Sequence, residues 1–243
     1  MNLFQTEKPD ATVVPAEHRV LDVHARLCRE YGCPIAYFGD LDPMSELVSS
    51  FLSHRTKNAD SSRAFKTLVA AFPTWQQVRD APVEDVQNAI APCTWPEQKA
   101  PRLQQVLRQI GDERGSLNLD FLATMTVEDA RRWLETLPGV GPKTSAAVLA
   151  FSSLRRRALP VDSHHHRVAG RLGLIAQSLG VGPSHRVLEA QLPANWDAQQ
   201  VYDNHEVLML HGQRVCFHFN PACSKCVLLD ICPTGSREVK SKK

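Results

Sequence analysis

Six side chains in this sequence have types and spacings that could do chemistry: one lysine, one aspartate and four cysteines. Lys143 stands in Leu137-Pro138-Gly139-Val140-Gly141-Pro142-Lys143-Thr144, where Pro138 and Gly139 close one helical run and Pro142 opens the next. Unpaired N–H groups at a helix start, with the macrodipole behind them, make such a turn an anion site that suits a phosphate. The same field disfavours an ammonium and helps release the neutral amine, a nucleophile able to form a Schiff base. A lysine that only neutralises phosphate is the plain alternative. Gly141 reads as a backbone position closed to residues bearing a Cβ, and two glycines alone would merely turn a helical hairpin.

Asp162 precedes the helical run Ser163–Leu172, so its ordinary job is that of an N-cap, worth about 1 kcal/mol. A carboxylate there can also steady a developing positive charge, and the two roles are compatible. His164, His165 and His166 are consecutive, so on a helix they fan apart by about 100° each and cannot all face one metal. Cys216, Cys223, Cys226 and Cys232 have the spacing Cys-x6-Cys-x2-Cys-x5-Cys. Four soft thiolates so close can enclose zinc or an iron–sulfur cluster, and spacing does not choose between them. Zinc ribbons more often use two Cys-x2-Cys knuckles, and one is present here. Cys28, Cys33 and Cys93 lie in apolar settings and read as small buried hydrophobes.

Helices must position these groups. Apolar residues recur at helical spacing over Glu17–Tyr31, Met44–Leu52, Asp60–Phe72, Thr74–Asp80, Val83–Ile90, Glu97–Glu113, Thr126–Leu137, Lys143–Phe151, Ser163–Leu172, Ser184–Leu192 and Ala198–Leu210, with proline and glycine breakers between them. Thr126 with Asp129 approximates a capping box. Period-two strand signals are almost absent, so the class is all-α. With 243 residues, 43% of them hydrophobic, the chain can bury a full core, and no apolar run reaches the ~18 residues of a spanning helix. Residues 1–15 read as a flexible lead without a secretory signal, which makes a reducing cytosol the expected compartment. A net charge of +2 says little about partners. Local basic groups, Arg155-Arg156-Arg157, Arg167 with Arg171, and Lys240, Lys242 and Lys243, suit either solvated surface or nucleic acid.

Leu137–Thr144, Val161-Asp162-Ser163-His164 and the cysteine spacing with His211-Gly212 upstream together resemble endonuclease III-like DNA glycosylases of the helix-hairpin-helix superfamily. The resemblance implies an all-α, two-lobed fold. A six-helix barrel over residues 36–156 would end in the hairpin, and 16–35 would join 157–243 in an iron–sulfur lobe. It implies a [4Fe-4S] cluster, structural in role, on Cys216, Cys223, Cys226 and Cys232. It assigns Lys143 as the nucleophile at sugar C1′ and Asp162 as the catalytic carboxylate. Gly139, Val140, Gly141, Thr144 and His164 would meet DNA, and Arg55 would stand where the family often has a gap-filling glutamine.

The implied activity is excision of oxidised pyrimidines from duplex DNA followed by β-elimination at the abasic site. The implied enzyme is a monomer without membrane contact, in a bacterial-type, nucleoid-associated cytoplasmic setting. Departures from the pattern are Arg55, the proline-rich Ile90–Lys99 stretch with Trp95 as a stacking candidate, and Phe-His-Phe-Asn-Pro-Ala between Cys216 and Cys223 in place of basic side chains. Two rivals follow. One is an adenine, mismatch or alkylated-base glycosylase; the adenine enzymes usually lack this lysine and add a C-terminal domain, for which the stretch after Cys232 leaves no room. The other is a catalytically weak lesion-binding homologue.

Overall fold

A computed structural model of the chain describes residues 16–241. The expected flexible lead at 1–15 lies outside them, as do Lys242 and Lys243. The described residues hold twelve α-helices: α1 Ala16–Tyr31, α2 Pro43–Ser53, α3 Asn58–Ala71, α4 Trp75–Asp80, α5 Val83–Ala89, α6 Pro96–Arg114, α7 Val127–Leu134, α8 Pro142–Phe151, α9 Ser163–Arg171, α10 Val181–Glu189, α11 Ala198–Arg214 and α12 Pro233–Ser241. Among the described residues there is no strand, as the all-α expectation required.

Local chemistry sets most helix starts. The Asp42 carboxylate accepts from the Met44 and Ser45 amides at 2.9 and 3.0 Å, Thr74 and Asp197 close full capping boxes, and the Thr126 hydroxyl accepts from Asp129 N–H. At Thr126 the box is half made, because the Asp129 carboxylate takes the Thr126 hydroxyl proton at 2.7 Å instead of the cap amide. α7 ends at Leu134, three residues before the expected stop, and a turn in which Val140 N–H donates to Leu137 O leads into α8. α12 was not legible: its sequence, beginning Pro-Thr-Gly-Ser, is rich in breakers.

Two apolar cores form. One gathers Leu47, Val48, Phe51 and Leu52 of α2, Leu103, Val106 and Leu107 of α6, and Ala146, Val148 and Leu149 of α8. The other joins Val20, Val23 and Leu27 of α1 to Val168, Leu172, Val207, Leu208 and Leu228. Arg155, Arg156 and Arg157 lie at the passage from one core to the other, and each is a carbonyl clamp. Arg155 donates to Phe151 O and Gly39 O and stacks on Tyr37 at 3.6 Å; Arg156 donates to Leu122, Ala123 and Met125; Arg157 donates to Trp196 and Pro193. This basic run is therefore internal scaffolding rather than a solvated or DNA-facing patch.

Cys28 and Cys33 are not the free buried thiols expected of them; they form a disulfide. Gly32, at φ +81, ends α1 by turning the chain back, and Cys33 N–H donates to Cys28 O, which brings the two Cα atoms to 4.9 Å. Cys93 does behave as expected, 5% exposed with its thiol on Leu52 O.

Candidate active site and thiol cavity

The turn before α8 is built on Gly139, not Gly141. Gly139 has φ +83, and a Cβ there would stand 3.0 Å from Arg102 Cδ and 3.3 Å from Phe51 Cε2. Gly141 has an ordinary extended backbone (φ −114), and a Cβ on it would meet no atom within 4 Å. The expectation that Gly141 needs a glycine-only conformation is thus corrected; its missing side chain leaves open space in front of the helix start. The N–H groups of Val140, Thr144 and Ser145 are taken by carbonyls of Leu137 and Gly141. Among the described residues, those of Gly139, Gly141 and Lys143 have no backbone acceptor, which leaves three donors around one helix N-terminus.

Val140 and Thr144 were expected at DNA, and the structure turns both inward. Val140 is 6% exposed and part of the α2–α6–α8 core, because the turn tucks its side chain under the hairpin. Thr144 is 1% exposed and its hydroxyl pairs with His54 Nε2 at 2.9 Å. His164 is half-buried, its Nδ1 accepting from Arg167 at 3.1 Å and its Cβ side packed where Gly212 has no side chain. The His164–His166 run diverges as a helix dictates: His165 is 1% exposed and faces the His205 ring, while His166 donates to Leu179 O.

Lys143 is on the first turn of α8, partly exposed, with its amine among protein atoms. Burial lowers its pKa from the usual lysine range, while the carboxylates of Glu46 and Asp162 act electrostatically in the opposite direction. Burial is thus what favours the neutral amine. Asp162 caps α9, accepting from His165 N–H through Oδ1 at 2.7 Å. Lysine and aspartate therefore share one electrostatic site.

Sequence reading missed Glu46, which hydrogen-bonds Ser50 Oγ at 2.9 Å and whose carboxyl burial pushes up to about 7. A lone acid within the apolar run Met44–Leu52 was the available signal. It also missed a buried layer beneath Asp162: His165 and His205, both pushed down to about 3 chiefly by burial, and Glu206, pushed up to about 7 by burial and then by Asp162 and Asp203.

On the α2–α6 side of the hairpin lies an open basin of about 420 Å³, lined by Phe51, His54, Arg55, Trp95, Arg102 and Gly139 among others. Arg55 is exposed and Trp95 is 47% exposed, so the indole does not pack away on its own lobe. Burial and the charges of Lys143 and Lys99 push His54 down to about 4, so its ring is neutral near pH 7.

Cys216, Cys223, Cys226 and Cys232 ring a cavity walled by Val168, Leu172, Val215, Leu228 and Leu229. Among the described residues no three His, Cys, Asp or Glu side chains gather at single-ion coordination distance. Donors nevertheless aim at the sulfurs: Arg171 Nη1 on Cys216 at 3.2 Å, Leu228 N–H on Cys226 at 3.4 Å and Gly235 N–H on Cys232 at 3.3 Å. Such donors suit thiolate sulfur. Burial, then the neighbouring sulfurs, push the Cys226 thiol up to about 11, so ionising Cys226 needs a compensating positive charge beside it. The cavity therefore fits a thiolate-held metal group. Arg167 and Arg171, like the Arg155 run, are occupied internally, on the carbonyls of Gly212, Cys216, Phe217 and His218.

A family model described as HhH-GPD superfamily base excision DNA repair protein matches residues 48–197. The chain is 32% identical to a putative DNA glycosylase of Arabidopsis thaliana over 170 residues, covering 70% of this chain and 56% of that one. It is 29% identical to endonuclease III of Thermotoga maritima over 204 residues, 84% of this chain and 88% of that one. Among solved structures, a non-covalent endonuclease III–DNA complex superposes with a TM-score of 0.78 at 21% identity, covering 92% of this chain and 98% of that chain.

Proposed function

The chain belongs to the HhH-GPD superfamily of base excision DNA repair proteins, and from that premise we propose that it is a bifunctional DNA glycosylase and abasic-site lyase with Lys143 as its nucleophile. The observation that carries this reading is the buried, pKa-lowered Lys143 amine sharing an electrostatic site with Asp162, beside a helix start with three unengaged amides. Damaged duplex DNA is the partner, its backbone phosphate held by the amides of Gly139, Gly141 and Lys143. The favoured lesions are oxidised pyrimidines.

The neutral Lys143 amine attacks C1′ of an everted nucleotide, and the base leaves with the glycosidic electron pair. Asp162 steadies the positive charge on the sugar and accepts the proton released from the attacking nitrogen. Glu46, with its raised pKa, is a second acceptor within the electrostatic reach of the amine. Opening of the sugar ring gives the Schiff base; loss of a C2′ proton then expels the 3′ phosphate and nicks the strand.

Cys216, Cys223, Cys226 and Cys232 are the residues that would hold a [4Fe-4S] cluster, which when bound would supply the positive charge that offsets thiolate formation and would order the loop around it. The barrel lobe is residues 36–156, and the cluster lobe is 16–35 with 157–243, of which 242 and 243 lie outside the described residues. Among the described residues no helix is long and apolar enough to cross a membrane. The test is borohydride trapping on a duplex carrying thymine glycol or an abasic site. A covalent adduct with the wild type that Lys143→Gln lacks upholds the reading. Tight binding without an adduct in the wild type replaces it with that of a lesion-binding homologue.

A further inference from the structure

Tyr31 ends α1 inside a small covalent loop. Cys28 and Cys33 close it, and the N–H groups of Gly32 and Cys33 both donate to Cys28 O, at 2.8 and 3.2 Å. The bond joins residues five apart, and so short a loop restricts the unfolded chain least. Its effect is local: it fixes the last turn of α1 and the side chain that turn carries. The rest of α1 is tied to the thiol loop separately, by Arg26 on the Asp230 carboxylate at 2.7 and 2.9 Å.

The Tyr31 side chain reaches the thiol cavity. Its hydroxyl meets His211 Nδ1 at 3.1 Å, and His211 Nε2 meets Cys226 Sγ at 3.4 Å. A thiolate sulfur only accepts, so with Cys226 ionised Nε2 carries the proton, Nδ1 is the acceptor and the tyrosine hydroxyl donates. The hydroxyl thereby fixes which ring nitrogen aims a proton at the sulfur. His211 is 2% exposed, so bulk water is not at hand to replace Tyr31.

The covalent loop also has what thiol exchange needs. Cys28 and Cys33 are both partly exposed, within reach of a small thiol. His24, one turn before Cys28, places Nε2 3.5 Å from Cys28 Sγ, and burial lowers its pKa while Asp203 acts in the opposite direction. A neutral imidazole keeps one N–H, which can settle on a leaving thiolate. One thiolate of a small dithiol attacks Cys33 Sγ, the S–S bond breaks, and its electron pair leaves on Cys28 Sγ beside that N–H. The second thiolate of the dithiol then releases Cys33, so the reductant ends as a cyclic disulfide and the protein gains two electrons and two protons. The reverse exchange with a small disulfide closes the loop again.

We propose that Cys28–Cys33 is a thiol–disulfide switch, worked by a small dithiol, that sets the Tyr31–His211 hydrogen-bond chain on Cys226 and with it how firmly the thiol loop holds its cluster. In the disulfide form Tyr31 is pinned and Cys226 keeps its donor. In the dithiol form the last turn of α1 frays, the chain parts, and iron leaves more readily. This rests on the cluster reading above.

The experiment first alkylates folded wild-type protein with and without dithiothreitol and locates the tagged cysteines by mass. Removal of iron by EDTA is then followed as decay of visible absorbance, without oxygen and with the dithiol taken away beforehand. The disulfide form, the dithiol form, Cys28→Ser/Cys33→Ser and Tyr31→Phe are compared. The dithiol should expose Cys28 and Cys33 to tagging, and iron should leave about tenfold faster from the dithiol form and from both variants, the scale of losing a hydrogen-bond partner of a metal ligand. In Tyr31→Phe the dithiol should add less than about twofold, because the chain it acts through is already cut. If the double variant does not fold, the two wild-type forms and Tyr31→Phe carry the test. A bond that the dithiol leaves closed in folded protein overturns the proposal, as do equal iron loss from the two wild-type forms and a Tyr31→Phe protein that still responds in full. If the wild type binds no iron, the cluster reading falls and the alkylation rate of Cys226 decides the switch: at least about threefold faster in the dithiol form upholds it, and equal rates overturn it.

Discussion

The hairpin at Leu137–Lys143 and the thiol loop at Cys216–Cys232 are both short, glycine- or proline-bearing turns that gather chemistry, and they reach order by different means. The hairpin is complete in itself: Gly139 fits against Phe51 and Arg102, Val140 fills the core, Thr144 is bonded to His54, and three amides keep no backbone acceptor. The thiol loop has arginine and amide donors aimed at sulfur, but its thiols are only half-buried around a cavity, and burial with the neighbouring sulfurs pushes Cys226 up to about 11. One site is organised by packing alone. On the proposed reading the other would be completed by a bound cluster, a structural role that leaves bond-breaking to the first.

The largest break in that comparison comes from Cys226→Ser. Loss of the bound iron and of visible absorbance should accompany a stability loss of about 3 kcal/mol or more, roughly 10 °C in Tm, with new protease cleavage confined to the thiol loop. An iron-free variant as stable as wild type would put the two loops in one class. Next, Asp162→Asn retains a good N-cap, so Tm should hold within about 2 °C while base excision slows about a hundredfold or more; an equal fall in both would reduce Asp162 to a cap.

Glu206 lies in the buried layer beneath Asp162, its Oε2 without a hydrogen-bond partner among the described residues. Its folded pKa of about 7 is above the unfolded 4.5, so the unfolded chain releases this proton first and stability falls as pH rises from 4.5 to 7. Glu206→Gln should therefore stabilise the protein on the order of 2 kcal/mol at pH 8 and hardly at all at pH 4.5, as denaturant titrations at both pH values will show. The smallest effect separates the two hairpin glycines. Gly139→Ala should cost about 1–2 kcal/mol, from its positive φ and its contacts with Arg102 and Phe51, whereas Gly141→Ala should leave stability within about 0.5 kcal/mol and weaken DNA binding. Equal destabilisation by both would contradict the assigned turn geometry.

What was legible beforehand was local. Helix periodicity, the caps at Asp162 and Thr126, the proline opening α8, the divergence of the three histidines and the cysteine spacing all depend on neighbours a few residues away. The expectations that failed depended on partners far along the chain. Thr144 meets His54 across 90 residues, Lys99 meets Leu52 across 47, and Arg156 meets Leu122 across 34. No periodicity encodes such meetings, so the inward turn of the Thr144 side chain went unseen, the Arg155–Arg157 run stood open between solvated surface and nucleic acid, and Lys99 and Glu46 drew no notice.

The sequence by itself determined eleven of the twelve helices of the described residues, the caps at Thr126 and Asp162, the hairpin and the spacing of the four cysteines, because each follows from backbone propensity and short-range spacing. The tertiary structure decided which amides stay unbonded, which lysine has its pKa lowered beside two carboxylates and which is spent on carbonyls, and how far each acid and base departs from its ordinary pKa. Those properties depend on burial and on charges brought together from distant helices, and burial exists only once the helices have packed.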